Sequence, residues 1–190
     1  MTKKEIIQQV LDGAGLDFGD RTAARHLTNT FSTYVGQLFA RDPNQYRFFT
    51  KQIHIDIKNR VARIPIPLIQ NVSNGKGVPV ISPDGVDCEC ETDGTEFIPM
   101  PSYALNSGAD ANMMSWVVFY TVTHDTIRFN RSMPKDMTSA IATVCPQFHA
   151  WGDNDEIPLP DGIGQMIIDS AIAAIKHDPA YQNLYKTHKP

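Results

Sequence analysis

The hydrophobic period of this chain changes twice, and that constrains its fold more than any single motif. Near both ends apolar residues recur at three and four, the spacing of one helix face. Between the ends they alternate, or run in short β-branched and aromatic blocks, as in half-buried strands. At the start, Thr2-Lys3-Lys4-Glu5 has capping-box spacing, and Ile6, Ile7, Val10 and Leu11 form the stripe behind it. Gly13 and Gly15 end that helix, because Gly takes the left-handed conformation without a Cβ clash. Asp20 is placed to cap a second helix of about 20 residues, stopped by Arg41-Asp42-Pro43-Asn44. Its apolar face carries Ala24, Leu27, Phe31, Tyr34, Val35 and Leu38. At the other end Asp161 caps a helix whose main stripe is Ile163, Met166, Ile167, Ala171, Ala174 and Ile175, widened by Ile168 and Ile172. Lys176-His177 suits the negative end of that helix dipole, and Pro179 blocks continuation.

The middle of the chain predicts strands. Tyr46-Arg47-Phe48-Phe49 is an aromatic anchor, and residues 52–57 alternate strictly with their Ile side chains on one face. Lys58-Asn59 is turn-like. Residues 61–67 form a second strand that Pro65 and Pro67 confine to a sheet edge or a strand end. Residues 73–108 are the least regular part. Within them residues 86–91 alternate and are expected to pair with residues 95–100 across the Asp93-Gly94 turn. Residues 116–122, 126–129 and 140–145 read as a three-strand antiparallel meander running into the Pro158-Leu159-Pro160 linker. The expected fold class is α+β, with N- and C-terminal helices packed as a small bundle around an inserted antiparallel β region. At 190 residues a single domain is expected. Its helical part is 1–45 and 158–178, its β part 46–157, and its C-terminal tail 179–190.

Composition and motifs exclude several chemistries. Seventeen basic against 21 acidic residues leave a formal charge of −4, not the basic excess of a protein that grips nucleic acid. No apolar run reaches the roughly 20 residues of a membrane span, and Met1-Thr2-Lys3-Lys4-Glu5 is not followed by a signal-peptide core. Cys88, Cys90 and Cys145 are an odd set, read as reduced thiols. Cys88 and Cys90 are one pair at the wrong spacing for a structural zinc site. Gly75-Lys76-Gly77 lacks phosphate-loop spacing, and Asp153-Asn154-Asp155-Glu156 lacks calcium-loop phasing and reads as a solvated acidic turn. The six histidines form no HxxxH or HxH pair, and no GxSxG occurs. No catalytic residue, cofactor or metal is assigned, and an enzyme is not expected.

Two features point instead to contacts with other proteins. The second helix sets Thr28, Asn29, Thr30, Ser32 and Thr33 opposite its apolar stripe, small and uncharged. Thr28, Asn29 and Ser32 are the candidate subunit interface, and a merely solvated polar face is the other reading. The tail offers Tyr181, Tyr185, Lys186 and Lys189 but few aliphatic side chains a core could use. Aromatic anchors ringed by polar groups carry binding energy when a segment docks on a partner.

The order of these signals resembles the head-to-tail adaptor family of short-tailed, double-stranded DNA phages, also called tail tubular or gatekeeper proteins. The resemblance rests on the N-terminal helices, the 46–49 anchor before a strand, Ile64-Pro65-Ile66-Pro67, Cys145-Pro146, and the linker Ile157-Pro158-Leu159-Pro160 into an Ile/Ala helix. It implies a structural virion protein at the head–tail junction, made in the host cytoplasm. Such a protein forms a ring of identical copies, usually twelve-fold, docked under the portal protein. A tail nozzle or tail hub protein attaches below, and genomic DNA passes through without sequence-specific binding or any membrane. The resemblance points Tyr181, Tyr185, Lys186 and Lys189 at the portal, and transfers no catalytic residue. The alternatives are another ring or minor tail protein of the same virion, or a small hydrolase using dispersed His, Asp and Cys residues.

Overall fold

Thr2 and Glu5 close the capping box expected of them in the structure, a computed structural model that describes residues 1–16, 21–42, 48–69, 77–83, 95–102 and 117–179. Glu5 N donates to Thr2 Oγ1 (3.2 Å) and Thr2 N donates to Glu5 Oε2 (2.8 Å). The hydrogen bond from the Thr2 backbone holds the Glu5 carboxyl below its ordinary range. Helix α1 spans Lys3–Ala14 and ends on Gly15 at φ 68°. Helix α2 spans Arg21–Arg41, and α3 spans Ile163–His177. The described residues divide into two compact units, one from 1–37, 48–49 and 147–179, the other from 38–42 and 50–146.

The first unit is helical. Gly13 lets α1 approach α3 closely: a Cβ there would stand 2.4 Å from Ile172 Cδ1. The α2 stripe is Ala23, Leu27, Phe31, Val35 and Phe39, each 2% exposed or less; Leu27, Phe31 and Val35 are as expected, while Ala23 and Phe39 take the end places expected of Ala24 and Leu38. In α3 the buried set is Gly164, Ile167, Ile168, Ala171 and Ile175, while Met166, expected in the stripe, is 49% exposed. Asp161 does not cap α3. Gly162 does, at φ 76° and with no side-chain bond, so the chain enters through a left-handed backbone instead. The Asp153–Glu156 turn is more than a solvated loop. Its carbonyls accept from the free N–H groups of α1, Lys4 N to Asp153 O (3.0 Å) and Lys3 N to Asp155 O (3.2 Å).

The second unit holds the seven strands of the described residues: β1 Lys51–Lys58, β2 Val61–Arg63, β3 Val80–Pro83, β4 Glu96–Pro99, β5 Val117–Thr123, β6 Thr126–Phe129 and β7 Ser139–Val144. They form one sheet in the order β3-β7-β1-β2-β6-β5-β4. The two edge strands, β3 and β4, come back into contact, so the sheet is nearly a barrel. Its interior is Ile55, Ile57, Val118, Tyr120, Val122, Ile127, Ala140, Ala142 and Val144. The β1–β2 hairpin turns on Asn59 and Arg60, both left-handed (φ 53° and 61°), the type I′ pattern whose twist suits paired strands.

This corrects the expected fold class. The β part is not an antiparallel insert on a small helical bundle but a seven-stranded mixed sheet that dominates its unit. β4 pairs with β5 in parallel, Phe97 opposite Val118. Residues 100–116 join them, long enough for the crossover that a parallel pair requires. The partner expected for residues 95–100, residues 86–91, lies outside the described residues. The three-strand meander is also corrected. β5 and β6 form a hairpin, but β7 pairs with β1 and β3. Asn130 stops the ladder after β6 by turning back on Phe119, donating N–H to its carbonyl (2.9 Å) and accepting its N–H on Oδ1 (3.2 Å).

Candidate interface surfaces

Helix α2 carries no charged side chain from Leu27 to Ala40. Along this stretch three hydroxyls bond to the helix itself. Thr28 Oγ1 donates to Ala24 O (2.9 Å), Ser32 Oγ to Thr28 O (2.8 Å) and Thr33 Oγ1 to Asn29 O (2.9 Å). Each of these hydroxyl protons thus has an acceptor one turn back. Thr28 and Ser32 are half-buried, while Asn29 and Thr33 are exposed. The structure adds Gly36, one further step along the same four-residue row. An added Cβ there would meet nothing within 4 Å. Thr28, Ser32 and Gly36 therefore make a low ridge of the kind that packs into the groove of another helix. Reading polarity missed Gly36; reading side-chain size at spacing four would have found it.

The residue just before the C-terminal tail is pinned. Asp178 follows α3 as its cap, its side chain 10% exposed. Its Oδ2 takes the Arg25 guanidinium and His26 Nε2 (2.9 Å), both from the first turns of α2. No local pattern marks Asp178, since its partners lie far away in sequence. Tyr181, Tyr185, Lys186 and Lys189 lie outside the described residues.

The remaining candidates for chemistry have structural surroundings. Cys145 is fully buried and its thiol is pushed up to about 12 by desolvation. Tyr120 is buried with its hydroxyl donating to Val78 O (2.8 Å), and burial raises its pKa. Gly77 sits at φ 93° where a Cβ would lie 2.7 Å from Ile69 O, so it serves a tight turn. Cys88, Cys90, Gly75 and Lys76 lie outside the described residues. A polar cavity of about 450 Å³ gathers the hydroxyls of Ser102, Thr121, Thr123 and Thr126 beside His124, Asp125 and Arg128. It is one place among the described residues where hydroxyls lie beside a histidine and a carboxylate. Within it Thr126 Oγ1 donates to Asp125 Oδ1 (3.1 Å). Among the described residues no three His, Cys, Asp or Glu side chains gather to hold a metal ion. The chain matches no protein-family model, and no curated protein matches its sequence.

Proposed function

We propose that this chain is a structural virion protein, a head-to-tail adaptor that assembles into a ring between the portal and the tail. The observation supporting this reading is the α2 ridge. A closed ring repeats one heterologous contact at every subunit, so each copy needs a face that can be buried cheaply. Burying a free hydroxyl or a charge is costly. On the ridge the Thr28 and Ser32 hydroxyls already donate within the helix, and Gly36 leaves room for a close neighbour. A formal charge of −4 suits a channel wall past which DNA slides, because tight phosphate binding would hold it there.

Gly36 separates folding from assembly. Gly36→Ala fills open space within a helix and is expected to stabilise the isolated protein by about 0.5–1 kcal/mol. Gly36→Leu starts from the same open Cβ position and is expected to fold, as circular dichroism would check, but it raises the ridge at every ring contact. Mass photometry, with and without portal protein, should show rings for wild type and only small species for Gly36→Leu. Wild-type assembly by a well-folded Gly36→Leu variant would sink the reading.

A further inference from the structure

A groove of about 470 Å³ opens where the β1–β2 turn faces the loop leading into β7. Met133, Met137, Pro134 and Ile57 supply apolar lining, and among the described residues its ionisable side chains are Arg60 and Lys135. The lining is held firmly. Ile57 N donates to Thr138 O (2.7 Å) and Phe129 N donates to Arg60 O (3.0 Å). Arg60 stays left-handed at φ 61°, where Gly would rest more easily. Asp136 is adjacent in the chain and exposed, but does not line the groove. The surface thus combines adaptable methionine with two cations, which suits an extended segment that is apolar on one side and acidic on the other.

The chain contains one such segment. In residues 84–94 five acids (Asp84, Asp87, Glu89, Glu91, Asp93) occur with no Lys or Arg, and Val86, Cys88 and Cys90 alternate with Asp87, Glu89 and Glu91. In an extended backbone this alternation separates acids from apolar side chains. The other acidic run, 153–156, is already engaged at the start of α1, where Lys3 Nζ meets Asp153 (3.4 Å) and the Met1 amine meets Glu156 (3.8 Å). We propose that the groove receives the acidic segment 84–94 of a second copy of this chain. The proposal rests on the reading that copies associate, and it adds the partner segment and the chemistry of that contact.

Charge reversal tests it. The groove variant is Arg60→Glu with Lys135→Glu, and the segment variant is Asp87→Lys with Glu89→Lys and Glu91→Lys. Sedimentation velocity at low and high salt reads self-association. Each variant alone should associate about tenfold or more weakly than wild type, with the wild-type contact weakening as salt rises. An equimolar mixture of the two should recover, since reversed grooves then meet reversed segments and native meets native. Arg60→Gly guards against misfolding: it relieves the turn and should melt no lower than wild type, yet still weaken association. Variants that associate like wild type overturn the groove contact and leave the ring reading standing. Recovery only when both reversals are on one chain, and not in the mixture, overturns docking between copies. A wild type that never self-associates, alone or with portal, overturns the ring reading and this contact with it.

Discussion

Phe49→Ala is expected to cost about 3–5 kcal/mol, the usual loss for a large aromatic taken out of a packed core. Phe49 is fully buried, stands edge-on to Phe31 (centroids 5.1 Å apart, planes at 79°), and Phe31 in turn lies 5.4 Å from Phe148. Its N–H donates to Pro158 O (2.8 Å), which fixes the linker before α3. Phe49 does this at φ 57°, a conformation uncommon for a bulky residue. Ala there would keep a Cβ in the left-handed region, at about 1–2 kcal/mol, whereas Gly would not. Gly gives back about 0.5–1 kcal/mol through its freer unfolded chain. Phe49→Gly should therefore be the more stable of the two variants, by up to about 1.5 kcal/mol, reversing the order normal inside helices and strands. Urea titration of both proteins measures the difference. A clearly more stable Ala variant would mean that the backbone at position 49 is not left-handed.

The second large effect is expected in alkali. Cys145 would ionise near 9.0 in the unfolded chain but only near about 12 in the fold. Between these values the unfolded chain has released a proton that the folded chain still holds, so the folded state binds more protons and stability falls as pH rises. Each pH unit in that window removes about 1.4 kcal/mol, or roughly 2–3 kcal/mol by pH 11. Tyr120 is raised by burial as well, and acts in the same direction above its ordinary value of 10.0. Urea midpoints at pH 7, 9, 10 and 11 should decline from pH 9 upward, and Cys145→Ala should make the decline shallower. Tyr120→Phe should make it shallower still above pH 10, while losing about 1 kcal/mol at neutral pH with the bond to Val78 O. A midpoint that stays level to pH 11 would show that these groups reach water in the fold.

Elements governed by near neighbours were legible; pairings governed by distant ones were not. The Thr2–Glu5 box, the Gly15 stop and the Ile55/Ile57 face follow from spacings of two to four, and the structure has all three. The centre of the α2 stripe, Leu27, Phe31 and Val35, is as expected, and only its ends differ, Ala23 for Ala24 and Phe39 for Leu38, because neighbouring apolar residues at a helix end compete for one face. Strand partners failed for another reason. Residues 139–144 look equally good beside β6 or β1, and the choice falls to contacts such as Ile57 N with Thr138 O. The parallel β4–β5 pair could not be read from alternation, which is identical for either direction. Among the candidate interface residues, Thr28, Asn29 and Ser32 were visible as an uncharged face. That their neighbouring Gly36 is open, and that Thr28 and Ser32 bond backward, depends on the three-dimensional arrangement of the helix.

The strand order has a consequence during synthesis. β1 finds β2 almost at once, but its other neighbour, β7, is made only after most of the chain: Ile55 waits for Ala140. The helical unit waits longer still, since Phe31 needs Phe148 and α1 needs α3. A nascent chain emerging from the ribosome therefore carries unsatisfied apolar faces on α1, α2 and β1 until translation is nearly finished. Such long-range closure is slow and leaves those faces open to mispairing with other chains. Yield in a heterologous host should therefore respond to slower elongation or added chaperone.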